Sequence, residues 1–189
     1  MARRIERRQP ATYDDVRQLP EHLVGELIDG ELFASPRPTS LHANAATELA
    51  AELNGPFRHG RGGPGGWIIL LEPELHVVSQ VMVPDLAGWR RERMPALPDV
   101  AVFELAPDWV CEVVSPTTAS VDRKRKMPHY ARAGVGHLWL VDPGAQTLEV
   151  YRRLEPEGWQ LLATFAESDK VRAEPFAAVE IDLALLWAR

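Results

Sequence analysis

The sequence contains a single cysteine, Cys111, among its 189 residues. One cysteine excludes a disulfide within the chain and any cluster of metal-binding thiolates built from one copy of it. We therefore interpret Cys111 as a small hydrophobic side chain that packs in the interior. The chemistry of the protein must rest on other residues.

Long apolar runs are also missing. No stretch of eighteen apolar residues occurs, so nothing in the sequence predicts a membrane-spanning helix. The first ten residues, MARRIERRQP, are basic but lack the apolar centre of a signal peptide. We expect a cytoplasmic protein without membrane contact, in which residues 1–10 form a flexible basic N-terminus.

Positive charge is in short supply, because 21 Lys and Arg residues face 27 Asp and Glu residues, for a net charge of −6. Domains that bind nucleic acid mainly by charge are usually basic, so this balance argues weakly against that mode of binding. Basic clusters at 90–93 and 123–126 leave a local patch possible, although a solvated surface explains them too. The Gly-rich segment 60–66 lacks the Gly-Lys-Ser/Thr ending of a phosphate-binding loop and is interpreted as a linker.

The length and a hydrophobic content of 46% suit one globular domain spanning residues 1–189. Hydrophobic periodicity and turn residues predict helices at 13–19, 41–53, 121–133 and 182–188. They predict strands at 24–28, 31–34, 67–71, 74–78, 83–89, 106–114, 137–141, 147–151 and 159–165, with Asp29-Gly30 as a hairpin turn. Pro128 predicts a kink or a shifted start in the third helix. The order of elements indicates a mixed α/β domain with a central sheet.

One acid stands in the middle of an apolar strand. Side chains alternate along a strand, so Val110, Glu112 and Val114 share one face of the predicted strand at 106–114. A lone buried carboxylate costs several kcal/mol or takes up a proton. Glu112 therefore needs a cationic partner, which is either a metal ion or a buried Lys or Arg.

A second acid, Asp85, is embedded in the apolar segment Val83-Pro84-Asp85-Leu86. Two acids on neighbouring strands can hold Mg²⁺, which prefers a few carboxylate oxygens and several waters. Taken alone, Asp85 is explained by a turn after proline, and Glu112 by a salt bridge. Together they favour a metal site.

The residues around these acids carry a resemblance to a known family. The matching segments are PD at 84–85, EVVSPT at 112–117, Lys126 followed by YARAGV at 130–135, LWLVDP at 138–143, ELIDGEL at 26–32, and His42. In this pattern the chain resembles the Uma-two family of proposed restriction endonucleases, within the PD-(D/E)xK nuclease superfamily. The resemblance runs from about residue 13 to residue 151 and implies a restriction-endonuclease-like central mixed sheet flanked by helices.

The resemblance implies a metal-dependent nuclease in which Asp85 and Glu112 bind Mg²⁺ or Mn²⁺. The superfamily lysine is expected two residues after the second acid, but this sequence has Val114 there. Lys126, four residues before Tyr130, is the best candidate for a lysine moved to the following helix, and Lys124 is a weaker one. Two residues are about 200° apart around a helix, so both lysines cannot point inward. We predict that Lys126 points to the site and Lys124 to solvent.

The resemblance also suggests residues that surround the metal site. Glu26 corresponds to an acid from an N-terminal element that supports the site or binds a second ion, although a polar residue on an exposed strand explains it almost as well. His42 is expected to line the site, or otherwise to cap or pack its helix. Ser115 either orients Glu112 or simply ends the strand, and we favour the latter. Tyr130 is expected to pack, with its hydroxyl at the rim of the site.

Three functions remain open from the sequence. The first is a Mg²⁺-dependent endonuclease that cuts DNA, acting as a homodimer so that two sites face a two-fold duplex. The second is a catalytically decayed nuclease fold that serves as a binding or interaction module, which the acidic composition and the displaced lysine favour. The third is a phosphodiesterase for small molecules, because the site chemistry does not require a polymer.

Overall fold

The computed structural model of the protein describes residues 3–5, 10–115 and 118–188. The strands are β1 (Arg3–Ile5), β2 (Leu23–Ile28), β3 (Glu31–Pro36), β4 (Trp67–Leu71), β5 (Leu75–Val77), β6 (Gln80–Met82), β7 (Leu86–Arg90), β8 (Trp109–Val113), β9 (His137–Asp142), β10 (Thr147–Leu154), β11 (Gly158–Ala166), β12 (Lys170–Val171) and β13 (Ile181–Asp182). The helices are α1 (Tyr13–Arg17), α2 (Ser40–Leu53), α3 (Ala119–Val121), α4 (Met127–Arg132) and α5 (Ala184–Trp187), with π-helical turns at Asn54–Arg58 and Asp122–Lys126. This is the mixed α/β architecture that the sequence predicts.

A six-stranded sheet forms the centre of the fold, in the order β11-β10-β9-β8-β7-β4. Strands β8 and β9 are parallel, which requires the helical crossover that α3 and α4 provide, and the remaining neighbours in this sheet are antiparallel. Helix α2 covers one face, where Leu49 belongs to the same apolar cluster as Trp109. Helix α4 covers the other face, where Tyr130 clusters with Val110. The central sheet is therefore flanked by helices, as predicted.

A second sheet of five strands, in the order β1-β3-β2-β6-β5, lies beside the first. Its β2–β3 hairpin turns at Asp29 and Gly30, whose φ angles of 54° and 73° suit the tight turns that twisted hairpins prefer. The hairpin carries Glu26 in the middle of β2, where it pairs in register with Phe33 of β3. The sequence therefore predicted this hairpin and its turn correctly.

Between α3 and α4, the helical segment after β8 widens into a π-helical turn at Asp122–Lys126. In this π-helical turn, the Met127 amide donates to the Asp122 carbonyl. Pro128 follows at the first turn of α4. A proline ring clashes with the carbonyl four residues before it, and a wider turn at that point relieves the clash. Instead of the single helix at 121–133, the structure has a π-helical turn directly before the α4 helix that contains Pro128.

Two side-chain contacts hold this helical segment against the central sheet. Arg123 donates to both carboxylate oxygens of Glu149 on β10, each at 2.7 Å. The indole N–H of Trp159 on β11 donates to the Met127 carbonyl at 2.8 Å. Because Arg123 lies within the π-helical turn and Met127 directly follows it, these contacts fix the position of the side chains that project from the turn.

The structure corrects several predicted boundaries. Strand β7 begins at Leu86 rather than at residue 83, because Pro84 lacks the amide hydrogen that a strand ladder needs, so Asp85 directly precedes the strand. The C-terminal helix is shorter than predicted, since residues 181–182 pair with β12 before α5 begins. Strands β6 and β12 were not predicted, because runs of two or three residues carry no readable period.

The N-terminal segment predicted to be flexible contains a strand. Arg3–Ile5 pair with β3, while residues 1–2 and 6–9 lie outside the described part of the chain. Among the helices that the structure describes, none is long and apolar enough to span a bilayer.

Candidate active site

A cavity of about 380 Å³ opens between the β2–β3 hairpin, the start of α2, the ends of β7 and β8, and the π-helical turn. The predicted site residues that line it are Glu26, His42, Asp85, Glu112, Ser115 and Lys126. Further polar residues in its wall are Ser35, Arg37, Thr39, Glu72, Thr118 and Asp122. The fold therefore brings together residues that lie up to 100 positions apart in the chain, from Glu26 to Lys126.

Asp85 and Glu112 come from neighbouring strands. Strands β7 and β8 pair with Leu86 opposite Cys111, and one step further along this register brings Asp85 alongside Glu112. Asp85 accepts a hydrogen bond through Oδ2 from the Val113 amide at 2.7 Å. Glu112 is only 3% exposed, on the face of β8 shared with Val110. The sequence-based expectation that both acids face one cavity agrees with this geometry, while their binding of a metal remains a prediction.

Lys126 is buried at the centre of the acidic cluster. Its Nζ lies 2.9 Å from Oε1 of Glu26, 3.1 Å from Oε2 of Glu112 and 3.4 Å from Oδ1 of Asp122. Lys124 is exposed on the other side of the same turn. The predicted orientations of Lys126 and Lys124 therefore match the structure. The amine that the superfamily places at position 114, where this chain has valine, is supplied by Lys126 from the helical segment after β8.

Glu26 belongs to this cluster rather than to an exposed strand face. It is 6% exposed, and its Oε1 also accepts from the amide of Val83, two residues before Asp85, at 2.9 Å. The hairpin therefore supplies a second acid that contacts Lys126, in addition to Glu112 from β8.

Asp122 is the site residue that the sequence analysis missed. It is 4% exposed, contacts Lys126, and hydrogen-bonds to the side chain of Thr118. The available signal was its spacing, because Asp122, Lys126 and Tyr130 follow one another at intervals of four and share one helix face. The basic run at 123–126 concealed this pattern.

Tyr130 and His42 each hold one of the two central acids. The Tyr130 hydroxyl donates to Oε1 of Glu112 at 2.6 Å, beneath the cavity and away from the rim where it was expected. The Nε2 atom of His42 lies 2.5 Å from Oδ1 of Asp85. Thr39 caps the helix that carries His42, through a contact with the His42 amide at 3.5 Å. These contacts fix the rotamers of both carboxylates.

Ser115 lies in the cavity wall directly after β8. Its hydroxyl is 3.2 Å from the Thr118 hydroxyl, and the Ser115 amide donates to the same Thr118 oxygen at 3.1 Å. Ser115 therefore contacts Thr118 directly after β8, and its role, whether in orienting Glu112 or in ending the strand, stays a prediction.

Burial and charge shift the protonation equilibria of the cluster. Burial raises the pKa of Glu26, Glu112 and Asp122 above the ordinary range of carboxyl groups, and the Lys126 ammonium opposes that rise only in part. Burial lowers the pKa of Lys126, but the carboxylates of Glu112, Glu26 and Asp122 raise it by more. The net result is a pKa well above the usual value, so the ammonium stays charged. Burial also raises the pKa of Tyr130, which keeps its hydroxyl a donor to Glu112.

The cluster has more acids than bases. Three carboxyl groups surround one ammonium, and Asp85 adds further repulsion on Glu112. This excess of negative charge can be offset by bound protons or by a cation. The oxygen donors of Asp85 and Glu112 fit a hard divalent ion, because Mg²⁺ needs only one or two carboxylates beside its waters. Within residues 3–5, 10–115 and 118–188, no group of three or more His, Cys, Asp or Glu side chains converges on a metal-sized centre.

A solved structure resembles this fold closely. The crystal structure of a protein titled "putative nuclease belonging to DUF820", from Anabaena variabilis ATCC 29413, superposes with a TM-score of 0.74 at 26% sequence identity. The match covers 94% of this chain and 98% of the other, so the two share one complete architecture. None of the curated proteins matches the chain.

The sequence as a whole also matches a family. The Uma2 family, which is described as "Putative restriction endonuclease", matches residues 13–185, and this span contains every residue of the cavity. The resemblance read from the motifs is thereby confirmed, together with the restriction-endonuclease-like fold. The chain belongs to the Uma2 family.

Proposed function

We propose that the protein is a Mg²⁺- or Mn²⁺-dependent phosphodiesterase that cuts DNA. The observation that carries the proposal is the meeting of Asp85, Glu112 and the buried Lys126 ammonium in the wall of one cavity. A pair of carboxylates beside a charged amine is a constellation suited to hydrolysis of a phosphodiester. Membership of a family described as "Putative restriction endonuclease" and similarity to a protein titled "putative nuclease" support the same conclusion.

The protein residues have separate roles in this mechanism. Asp85 and Glu112 would hold the divalent ion, which lowers the pKa of water and stabilises charge on the phosphate. Lys126 orients the attacking water or stabilises the developing negative charge, since its ammonium lies 3.1 Å from Glu112. Glu26 and Asp122 hold Lys126 in place from either side. His42 and Tyr130 fix the carboxylates of Asp85 and Glu112.

The metal assignment is tested by calorimetric titration with Mn²⁺. Asp85→Ala and Glu112→Ala should each abolish binding while leaving the fold intact by circular dichroism. Unchanged Mn²⁺ affinity in both variants would refute the assignment.

The role of Lys126 is tested by cleavage of plasmid DNA in Mg²⁺ and in Mn²⁺. Lys126→Ala should lower turnover far more than Lys124→Ala, at a temperature at which circular dichroism shows both variants folded. The exposed Lys124 is a matched control for charge and for position on the same turn. Equal losses in the two variants would remove Lys126 from the mechanism.

A second candidate function is a DNA-binding or interaction module on a nuclease fold without activity. It is favoured by the observation that Asp85 and Glu112 already have protein partners, namely His42, the Val113 amide, Lys126 and Tyr130. Binding of DNA without cleavage, at high protein concentration and with either ion, would favour this candidate.

We also infer that the protein works in the cytoplasm as a homodimer. A single site cannot easily cut both strands of a duplex, whereas a two-fold pair presents two sites to a two-fold substrate. Light scattering should give twice the chain mass of 21.1 kDa. A monomer at high concentration would contradict the dimer.

A further inference from the structure

A second cavity, of about 330 Å³, adjoins the candidate active site. The two cavities share the wall residues Val24, Arg37, Glu72 and Val83, so they lie side by side. Arg37 is the basic residue in this shared wall. A substrate that leaves the first cavity in this direction must pass its guanidinium.

Arg37 is exposed, and no ion pair or hydrogen bond joins its side chain to any residue that the structure describes. Its neighbours in the chain are Pro36 and Pro38, which restrict the backbone of the loop between β3 and α2 and reduce the entropy lost when a ligand binds. A free guanidinium presents five N–H donors in a planar fork that matches the oxygens of a phosphate. In the shared wall, Arg37 attracts an anionic ligand, whereas Glu72 repels one.

The second cavity also offers an aromatic surface. Tyr13 lies in its wall, partly exposed, with its hydroxyl donating to Oε1 of Glu74 at 2.7 Å. The Nε2 atom of His76 contacts the same Glu74 oxygen at 2.7 Å, so this acid is already engaged by two protein groups. Aromatic rings in nucleic-acid grooves stack on bases without regard to sequence. Glu72, in the shared wall, would repel a polyanion, so the positive charge of Arg37 is needed to offset that repulsion.

We propose that Arg37 binds a backbone phosphate next to the one that is cut, and that the second cavity accommodates the adjoining nucleotide beside Tyr13. This inference rests on the proposed function and adds the place where the strand next to the cleaved phosphate contacts the protein. A small diester held in the first cavity could also reach Arg37, but it would leave the second cavity and Tyr13 without a ligand.

The test is the fluorescence anisotropy of a labelled 20-base-pair DNA duplex, about two helical turns long, measured in EDTA and again with Ca²⁺. Ca²⁺ takes the same oxygen ligands as Mg²⁺, and a gel checks that the duplex stays intact. Arg37→Gln should raise the Kd roughly tenfold, as expected for loss of a charge-assisted contact. In EDTA it should also reduce the slope of log K against log salt by about 0.9, the contribution of one phosphate. Arg37→Lys should restore most of that slope, because it keeps the charge.

Arg61→Gln is the matched control. Arg61 is also exposed, but it follows the far end of α2, a helix about 21 Å long whose other end lies close to Arg37 in the chain. We expect its Kd and salt slope to equal those of the unmodified protein. Equal behaviour of Arg37→Gln and Arg61→Gln, or no binding of DNA in either buffer, would overturn the inference. Failure of the unmodified protein to cut DNA in Mg²⁺ or Mn²⁺ would instead contradict the proposed function, so the two failures are distinguishable.

Discussion

The two faces of strand β8 bury side chains of opposite chemistry. On one face, Trp109, Trp139 and Phe176 pack edge to face, with ring centroids 5.0 to 5.6 Å apart. On the other face, Glu112 meets the ammonium of Lys126 among three acids. Both side chains are almost completely buried, because Trp109 is 0% and Glu112 only 3% exposed.

The difference shows which face stabilises the fold and which one costs stability. Removing aromatic surface from water is favourable in proportion to its area. Burying a charged cluster costs desolvation that its internal attraction barely repays, so such a cluster is weak evidence for stability. A buried cluster with an excess of acids is therefore explained better by the chemistry of the site than by folding.

The largest expected effect comes from removing the one ammonium of the polar face. Lys126→Met keeps most of the side-chain volume, but it leaves Glu26, Glu112 and Asp122 without their buried counter-charge. We expect a loss of about 3–5 kcal/mol in the free energy of unfolding near neutral pH. Chemical denaturation measures this loss. Lys124→Met, on the exposed side of the turn, should change it by less than about 0.5 kcal/mol.

The loss should depend on pH in a defined direction. Burial raises the pKa of these three carboxyl groups in the folded state. A carboxyl with a raised folded pKa stabilises the fold below its unfolded pKa, about 3.9 for Asp and about 4.3 for Glu, and loses that contribution as pH rises through the folded pKa. The gap between Lys126→Met and the unmodified protein should thus be smallest in acid and widen toward neutral pH. A gap that is constant with pH would contradict the charged cluster.

A smaller effect should separate two tryptophans of the apolar face. The Trp139 indole N–H donates to the Glu174 carbonyl at 2.7 Å, whereas the Trp109 indole nitrogen is buried without a partner among the described residues. Both variants, Trp139→Phe and Trp109→Phe, lose similar volume. We expect Trp139→Phe to cost about 1 kcal/mol more, because only it breaks a hydrogen bond. Equal losses in urea denaturation would show that the Trp139 bond adds nothing to stability.

The smallest effect concerns the exposed ion pair that holds the π-helical turn to β10. Arg123 lowers the pKa of Glu149 through their paired hydrogen bonds. A carboxyl with a lowered folded pKa stabilises the fold above its unfolded pKa of about 4.3 and loses this as pH falls through the folded pKa. Because the Arg123 side chain is 39% exposed, Arg123→Gln should cost at most about 1 kcal/mol near neutral pH and nothing in strong acid.

The measurement for Arg123→Gln is urea denaturation at neutral and at acid pH. Arg153→Gln is its control, because the partner of Arg153, Glu155, is 80% exposed and the pair should contribute no measurable stability. A loss that persists in strong acid would mean that Arg123 acts through packing rather than through charge.

Much of the site could be predicted from local patterns. The alternation of side chains along β8 placed Glu112 on the face of Val110, opposite Trp109, because a strand repeats every two residues. The angle between Lys124 and Lys126 around a helix placed only one of them inward. The motif at 26–32 identified Glu26 as a candidate, although it left an exposed position nearly as plausible.

Other features required the tertiary structure. The sequence by itself determined the longer elements, the two faces of β8 and the helix face that carries Lys126, since these follow from short-range periods of the backbone. Only the tertiary structure decided that Glu26 and Asp122 both reach Lys126, that Tyr130 holds Glu112 from below, and that Arg37 stands between two cavities. These contacts depend on the register of strands that are distant in the chain and on the π-helical turn before Pro128. Both are set by packing across the whole fold, which can override local backbone preferences.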